Sequence, residues 1–208
     1  MTHDDTMRPG LVLASASPRR LTLLEQIGVW PDIIAPQSLD EAPRPGEGPA
    51  DLAGRLAQEK AGAAAVVYDD HFVLAADTVV AVGRRLLAKA TDIQEAQHFL
   101  ELLSGRRHRV HTGVAVIAPD GRMGARVVTT AVRFKRLEPA EIEGYLTSQD
   151  WFDKAGGYAL QGRAGAMVRS INGSCSNVIG LPLYETLALL TGLGWTGAGG
   201  GRPDKAFR

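Results

Sequence analysis

The segment from Leu11 to Arg20 constrains the fold of this chain more than any other, because an apolar strand turns there directly into a helix. Ser17 suits the N-cap position and Pro18 suits the first helical position. Arg19 then falls with Arg20 in the first turn, where the positive end of the helix dipole disfavours each cation by roughly 0.3–1 kcal/mol. Free backbone N–H groups and two guanidinium groups at one helix start predict a bound anion, such as a phosphate.

Strand and helix patterns alternate along the rest of the chain, with one hairpin inserted. The spacing of apolar and turn residues predicts strands at about 11–15, 33–35, 72–76, 79–82, 110–117, 125–134, 167–171 and 177–179. The same patterns predict helices at about 18–27, 50–67, 93–104, 139–148 and 182–190. This alternation is typical of an α/β fold with a mixed sheet.

The charge balance bears on the partners that the chain can have. Lysine and arginine together number 23, as do aspartate and glutamate, so the formal net charge is zero. Nucleic-acid-binding surfaces usually carry a basic excess, and we therefore expect no nucleic-acid partner. The single cysteine, Cys175, excludes an intramolecular disulfide and a four-cysteine zinc site. Residues 1–10 lack the apolar core of a signal peptide, and no apolar run is long enough to span a bilayer, so we expect a cytoplasmic protein without a membrane partner.

Asp77 follows the continuous apolar run at 72–76, which predicts a buried strand that ends at Asp77-Thr78. A carboxylate there is costly to desolvate unless it has a charged partner, a metal ion or hydrogen bonds. Ligands of α/β sheets bind at the carboxyl ends of strands, so Asp77 is a candidate to bind Mg²⁺ or to act as a general base. In the alternative interpretation, Asp77 only caps the turn through Thr78.

Lys60, Lys89 and Gln161 are further candidates for nucleotide chemistry. Lysine is a compact point charge that suits phosphate oxygens, although most lysines are simply solvated. A strand-end aspartate, helix-opening arginines and separate lysines are together the groups that phosphoryl chemistry uses. The amide of Gln161 offers a donor and an acceptor to a base edge, whereas in the alternative interpretation it satisfies loop backbone groups.

Three blocks of the sequence are similar in order and spacing to the motifs of the Maf family of nucleoside triphosphate pyrophosphatases. They are Leu13–Arg20 with Leu23-Leu24, then Ala76–Lys89, then Lys154–Gly162 continuing through Ile171–Ser174 to Val178–Leu183. The resemblance implies an inosine triphosphatase-like α/β fold with two lobes, in which helices flank a long mixed β-sheet and the site lies in a central cleft. We expect this single Maf-like domain to span residues 11–194. A flexible N-terminus would precede it at 1–10, and a disordered tail would follow it at 195–208.

The resemblance also implies that the protein is an enzyme, a nucleoside triphosphate diphosphatase that hydrolyses the bond between the α- and β-phosphates. The products would be a nucleoside monophosphate and pyrophosphate, the cofactor would be a divalent cation (Mg²⁺ or Mn²⁺), and the chain would form a homodimer. The motifs resemble the branch that acts on dTTP and UTP, with modified pyrimidine nucleotides as further substrates. The branch acting on 7-methyl-GTP usually carries Trp in place of Arg19 and Glu in place of Gln161.

The family's functional positions map onto individual residues of this chain. Asp77 matches the catalytic proton acceptor, and Lys60 and Lys89 match phosphate-binding lysines. The remaining expected substrate-binding residues are Ser15, Ser17, Arg19, Arg20, Thr78 and Gln161, of which Arg19, Thr78 and Gln161 match positions tied to substrate choice. Asp77 and Glu41 are the expected metal ligands, with Asp40 as the alternative loop acid. Ala90 stands where the family usually has proline, and Cys175 where it often has tyrosine.

Two other functions fit the sequence. One is a nucleotide-binding regulator of cell division with little turnover, and the other is a house-cleaning hydrolase for inosine or other non-canonical purine triphosphates. The presence of Asp77 and both candidate lysines favours an enzyme. Product analysis separates the three, because only the enzymes consume triphosphate and their base preferences differ.

Overall fold

The computed structural model describes residues 9–197. The strands are β1 (Leu11–Leu13), β2 (Ile33–Ile34), β3 (Phe72–Val82), β4 (Arg85–Leu87), β5 (Arg107–Ile117), β6 (Met123–Phe134) and β7 (Val168–Asn172). The helices are α1 (Pro18–Gln26), α2 (Pro49–Ala65), α3 (Ile93–Leu103), α4 (Pro139–Thr147), α5 (Cys175–Ile179) and α6 (Leu183–Gly192), with a 3₁₀ helix at Arg163–Met167. The expected flexible N-terminus and disordered tail fall largely outside the described residues, although Trp195, beyond the expected domain boundary, is buried.

The strands form one mixed sheet in the order β2-β1-β3-β5-β6-β7, with β4 paired to β3. Strand β1 runs parallel to both β2 and β3, whereas β3, β5, β6 and β7 are successively antiparallel. Helix α2 packs on one face of the sheet, and helices α1, α3, α4 and α6 contribute to apolar clusters on the other. The predicted α/β class with a mixed sheet flanked by helices is therefore confirmed.

Strand β3 carries Asp77 in its middle. The prediction that the strand ends at Asp77-Thr78 is wrong, because β5 pairs with β3 without interruption from Val73 to Ala81. On its other edge β3 pairs with β1 at Phe72–Leu74 and with β4 at Val80–Val82. Among the described residues, positions 75–79 therefore have no strand partner on that edge, and Asp77 and Thr78 lie in this gap.

Helix α2 lies unusually close to the sheet at Gly113 of β5. A Cβ atom at Gly113 would stand 2.1 Å from the carbonyl oxygen of Ala53, far inside contact distance. The adjacent Gly54 of α2 is also tight, since a Cβ there would stand 2.8 Å from a methyl group of Val127. Because Gly113 is also the cross-strand neighbour of Asp77, this close approach sets the distance of α2 from β3 at Asp77.

A polar seam divides the apolar core on the sheet face opposite α2. The seam consists of Thr78, Thr112, Thr130 and Asn177, of which the last three are fully buried. Along β3, Ala76 belongs to the cluster packed under α1 and α6, while Val80 belongs to the cluster packed under α3 and α4. Two apolar lobes thus meet at a line of hydrogen-bonding side chains.

The prediction of a short strand at 177–179 is wrong, because these residues lie in helix α5. The run Asn177-Val178-Ile179 is β-branched in part, but Ser174 caps a helix there by accepting a hydrogen bond from the backbone N–H of Asn177 at 3.2 Å. This helix places the Asn177 amide over the polar seam. Among the described residues, no helix combines the length and the hydropathy that a membrane crossing needs.

We predict that Gly113→Ala destabilises the fold by about 1–3 kcal/mol or more, because the added methyl group displaces α2 from the sheet. Chemical denaturation monitored by circular dichroism measures the loss. Gly62→Ala is the matched control, since a Cβ at this position of α2 meets no atom within 4 Å and alanine favours a helix. Equal stability of Gly113→Ala and wild type would contradict this account of the packing.

We predict that stability falls as the pH drops from about 6.5 to about 4. His108 is buried against Phe134 and Tyr158, and burial lowers its pKa to about 4. The unfolded chain therefore binds a proton at a pH where the folded chain does not, which favours unfolding by up to about 3 kcal/mol. Burial lowers the pKa of His111 in the same direction.

Urea denaturation at a series of pH values measures this dependence. His108→Gln should flatten the pH profile above pH 4, whereas His98→Gln, a change at an exposed histidine, should leave it unchanged. A His108→Gln profile as steep as that of wild type would assign the pH dependence to other groups.

Candidate active site

One cleft of about 440 Å³ is lined by every residue that the sequence nominated for the site except Asp40, the alternative loop acid. It lies where the gap in the β3 ladder meets the start of α1, the loop before α2 and the loop after α4. Its walls include Ser15, Ser17, Arg19, Arg20, Glu41, Lys60, Asp77, Thr78, Lys89 and Gln161. Residues more than 140 positions apart in sequence thus face one space.

The ammonium of Lys60 lies between two carboxylates at the base of the cleft. Its Nζ donates to Asp77 Oδ1 at 2.6 Å and to Glu41 Oε1 at 2.5 Å. Lys60 and Asp77 are both 8% exposed, and their pairing offsets the cost of burying each charge, with Glu41 as a second anionic partner of Lys60. The remaining oxygens, Asp77 Oδ2 and Glu41 Oε2, accept no hydrogen bond from the described residues.

Asp40 and Glu41, the two acidic loop residues that the sequence left as alternative metal ligands, make different contacts in the structure. Asp40 Oδ1 accepts a hydrogen bond from the N–H of Ala42 at 2.9 Å and so shapes its own loop. Glu41 reaches Lys60 and lines the cleft. The loop before α2 is further held by Arg55, which donates to Glu47 and Glu59.

The first turn of α1 is arranged differently from the sequence prediction. Ser17 stands at the N-cap position, but its side chain makes no capping hydrogen bond. Its backbone N–H instead donates to Ser15 Oγ at 3.2 Å, which leaves the Ser17 hydroxyl at the cleft wall. Proline at the first helical position, which has no N–H to cap, is confirmed.

Arg20 is tied to three parts of the site. Its Nε donates to the Gly180 carbonyl at 2.8 Å, and its two terminal nitrogens donate to Ser15 Oγ at 2.9 Å and to Thr78 Oγ1 at 3.2 Å. Burial lowers the pKa of Arg20, and the nearby Asp77 carboxylate opposes that shift. The guanidinium remains a cation at neutral pH.

Hydrogen bonds continue from Arg20 into the polar seam. Thr112 Oγ1 donates to the Asn177 carbonyl at 3.0 Å, so its contact with Thr78 Oγ1 at 3.0 Å must be one in which Thr78 donates. Each hydroxyl therefore accepts on one side and donates on the other. Thr112, Asn177 and Gly180 were missed by the sequence interpretation, since only their three-dimensional contacts connect them to the site.

Arg19, Lys89 and Gln161 surround the wider part of the cleft. Lys89 forms an ion pair with Asp153 at 2.7 Å, and both side chains are more than half exposed. Arg19 is half-buried, and desolvation lowers its pKa while the charge of Asp153 raises it. Gln161 is exposed at the cleft wall.

Comparisons with known proteins identify the same family that the sequence motifs resemble. A profile of the Maf family, described as Maf-like protein, matches residues 10–193. The dTTP/UTP pyrophosphatase of Maricaulis maris is 58% identical over 188 residues, which is 90% of this chain and 90% of that protein. That of Caulobacter vibrioides is 57% identical over 187 residues, which is 90% of this chain and 97% of that protein.

Solved structures match more distantly. A nucleoside-triphosphatase, or dITP/XTP pyrophosphatase, from Mycobacterium abscessus covers 61% of this chain and 74% of its own, at 20% identity and a TM-score of 0.39. The matched range of the family model runs from β1 to α6 and includes every segment that lines the cleft. On this match the chain belongs to the Maf family.

Proposed function

We propose that the protein hydrolyses a nucleoside triphosphate between its α- and β-phosphates and releases a nucleoside monophosphate and pyrophosphate. The observation that carries the proposal is the ion-paired group of buried Lys60 and Asp77 with exposed Glu41, in a cleft that Arg20 also lines. The chain that carries this group is 58% identical to a dTTP/UTP pyrophosphatase. The group together with Arg20 supplies a carboxylate for a water molecule and two cations for a triphosphate. Pyrimidine triphosphates, dTTP and UTP, are the proposed substrates.

A divalent cation is the proposed cofactor, Mg²⁺ or Mn²⁺. The free oxygens Asp77 Oδ2 and Glu41 Oε2 fit it, because hard oxygen donors on one or two carboxylates suit such ions. Within residues 9–197, no cluster of three or more His, Cys, Asp or Glu side chains could hold a metal alone. Phosphate oxygens of the substrate would therefore complete the coordination, and the bound ion would offset phosphate charge.

Asp77 is proposed to orient the attacking water and to accept its proton. Lys60 fixes the Oδ1 side of this carboxylate, so the carboxylate is already positioned before substrate arrives. Its place on a strand that pairs with β5 through nine consecutive residues makes that position rigid. A preorganised carboxylate is more effective than a mobile one because little rearrangement accompanies the reaction.

Arg20, Lys60 and Lys89 are proposed to offset the charge that develops on the leaving pyrophosphate. Arg20 keeps two N–H bonds beyond the three that it donates to the protein, and Ser15 and Ser17 lie beside it. Fixed cations of this kind stabilise a phosphoryl-transfer transition state. Arg19, Thr78 and Gln161 are proposed to influence which base is accepted.

Several expectations stay predictions: the cytoplasmic location, the homodimer, the absence of a nucleic-acid partner and the domain span 11–194. The regulator of cell division and the purine house-cleaning hydrolase stay as alternative functions. Nothing in the cleft favours either over pyrimidine triphosphate hydrolysis. The product experiment below separates all three.

We predict that purified protein with Mg²⁺ or Mn²⁺ converts dTTP and UTP to monophosphate and pyrophosphate, with slower turnover of GTP, ITP and ATP. Chromatography of the nucleotides and a pyrophosphate assay measure this. Unchanged triphosphate would support a binding regulator, faster ITP turnover would support the purine hydrolase, and diphosphate with phosphate would contradict the assigned bond.

We predict that Asp77→Asn lowers kcat by about 10²–10³ or more, because the amide cannot accept the water proton. The fold should persist, since an amide oxygen still accepts a hydrogen bond from Lys60. Circular dichroism and thermal unfolding check the fold. Asp69→Asn, an equal charge change at an exposed turn, is the control and should retain wild-type kcat.

A further inference from the structure

We propose that Asp153 is a resident counter-ion of the cleft: in the free protein its carboxylate holds Lys89, and the phosphates of the substrate displace it. This inference deepens the proposed function, because it rests on Lys89 being a phosphate ligand. Asp153 would therefore set how tightly the cleft binds anions. It would act through Lys89 and would take no part in bond cleavage.

The charges around Asp153 are the first support. Its carboxylate pairs with Lys89 Nζ at 2.7 Å and also lies near Arg19 and Lys154. Lys89 holds the pKa of Asp153 below its ordinary value, with smaller contributions from Lys154 and Arg19. All four side chains line the same cleft, so the Asp153 carboxylate lies among cations that a bound triphosphate would also contact.

The backbone around Asp153 is the second support, since it admits a carboxylate at this position. Asp153 has a φ of +56°, a left-handed conformation that aspartate and asparagine adopt more readily than most other residues. Gln149, Gly156 and Gly157 of the same loop also have a positive φ, of +59°, +70° and +67°.

The loop does not need the ion pair for its own structure. The N–H of Gly156 lies within 2.9 Å of the Leu87 carbonyl and 3.0 Å of the Ala88 carbonyl. Lys89 and Ala155 form an antiparallel backbone bridge. Because these main-chain bonds join the two segments, the carboxylate of Asp153 can leave Lys89 without unfolding the loop.

The expected effect is modest, because an ion pair this exposed contributes little. Breaking it in advance should tighten anion binding by about 1.5- to 5-fold. Asparagine is the suitable replacement, since it tolerates the left-handed conformation as well as aspartate does and removes only the charge.

The test compares wild type with Asp153→Asn, using inorganic pyrophosphate as the probe. We expect its dissociation constant, measured by calorimetry, to fall about 1.5- to 5-fold, and the KM for dTTP to fall in parallel while kcat does not rise. Asp69→Asn makes the same charge change at an exposed turn and should leave the dissociation constant unchanged. In a Lys89→Ala background, Asp153→Asn should give a smaller gain, because its partner is gone.

An unchanged or larger dissociation constant in Asp153→Asn would overturn the proposal. So would an equal gain in the Lys89→Ala background, since the effect would then not pass through Lys89. Failure of the proposed function is distinguishable, because it would appear as wild-type protein that leaves dTTP and UTP intact whatever the pyrophosphate titrations show.

Discussion

The buried ammonium of Lys60 is the interaction on which the rest of the site depends. A charge that is 8% exposed needs partners, and it finds them on β3 and on the loop that precedes its own helix. The bond to Asp77 is possible because Gly113 lets α2 approach the sheet. The packing of α2 against Gly113 and the ion pair of Lys60 with Asp77 therefore depend on each other, and a change in either would alter the other.

The two arginines at the start of α1 show how similar residues take different roles. Arg20 points into the molecule, where Ser15, five residues earlier, and two acceptors on distant segments, Thr78 and Gly180, fix its guanidinium. Arg19 remains half-buried at the cleft wall, near Asp153. The sequence predicted an anion at this helix start, but only the tertiary contacts show that the protein fixes the guanidinium of Arg20, while both arginines line the cleft.

The features of the fold that could be predicted are those set by short-range sequence patterns. The strand-to-helix turn at Pro18 and the alternation of elements follow from propensities that act over a few residues, and family motifs identified the cleft residues. Residues 177–179 of the helix Cys175–Ile179 were predicted as a strand, because a short run with β-branched residues is compatible with either element. The N-cap hydrogen bond of Ser174 favours the helix. Thr112 was missed because its role depends on a bond to Asn177, 65 positions away.

The gap in the β3 ladder determines how the site is reached. Successive side chains of a strand point to opposite faces, so Asp77 meets Lys60 on one side of the sheet while Thr78 meets Arg20 on the other. In an uninterrupted sheet the two would be separated by the neighbouring strand. Here β1 stops before them and β4 begins after them, so a molecule in the cleft at the unpaired edge of β3 can contact both Asp77 and Thr78.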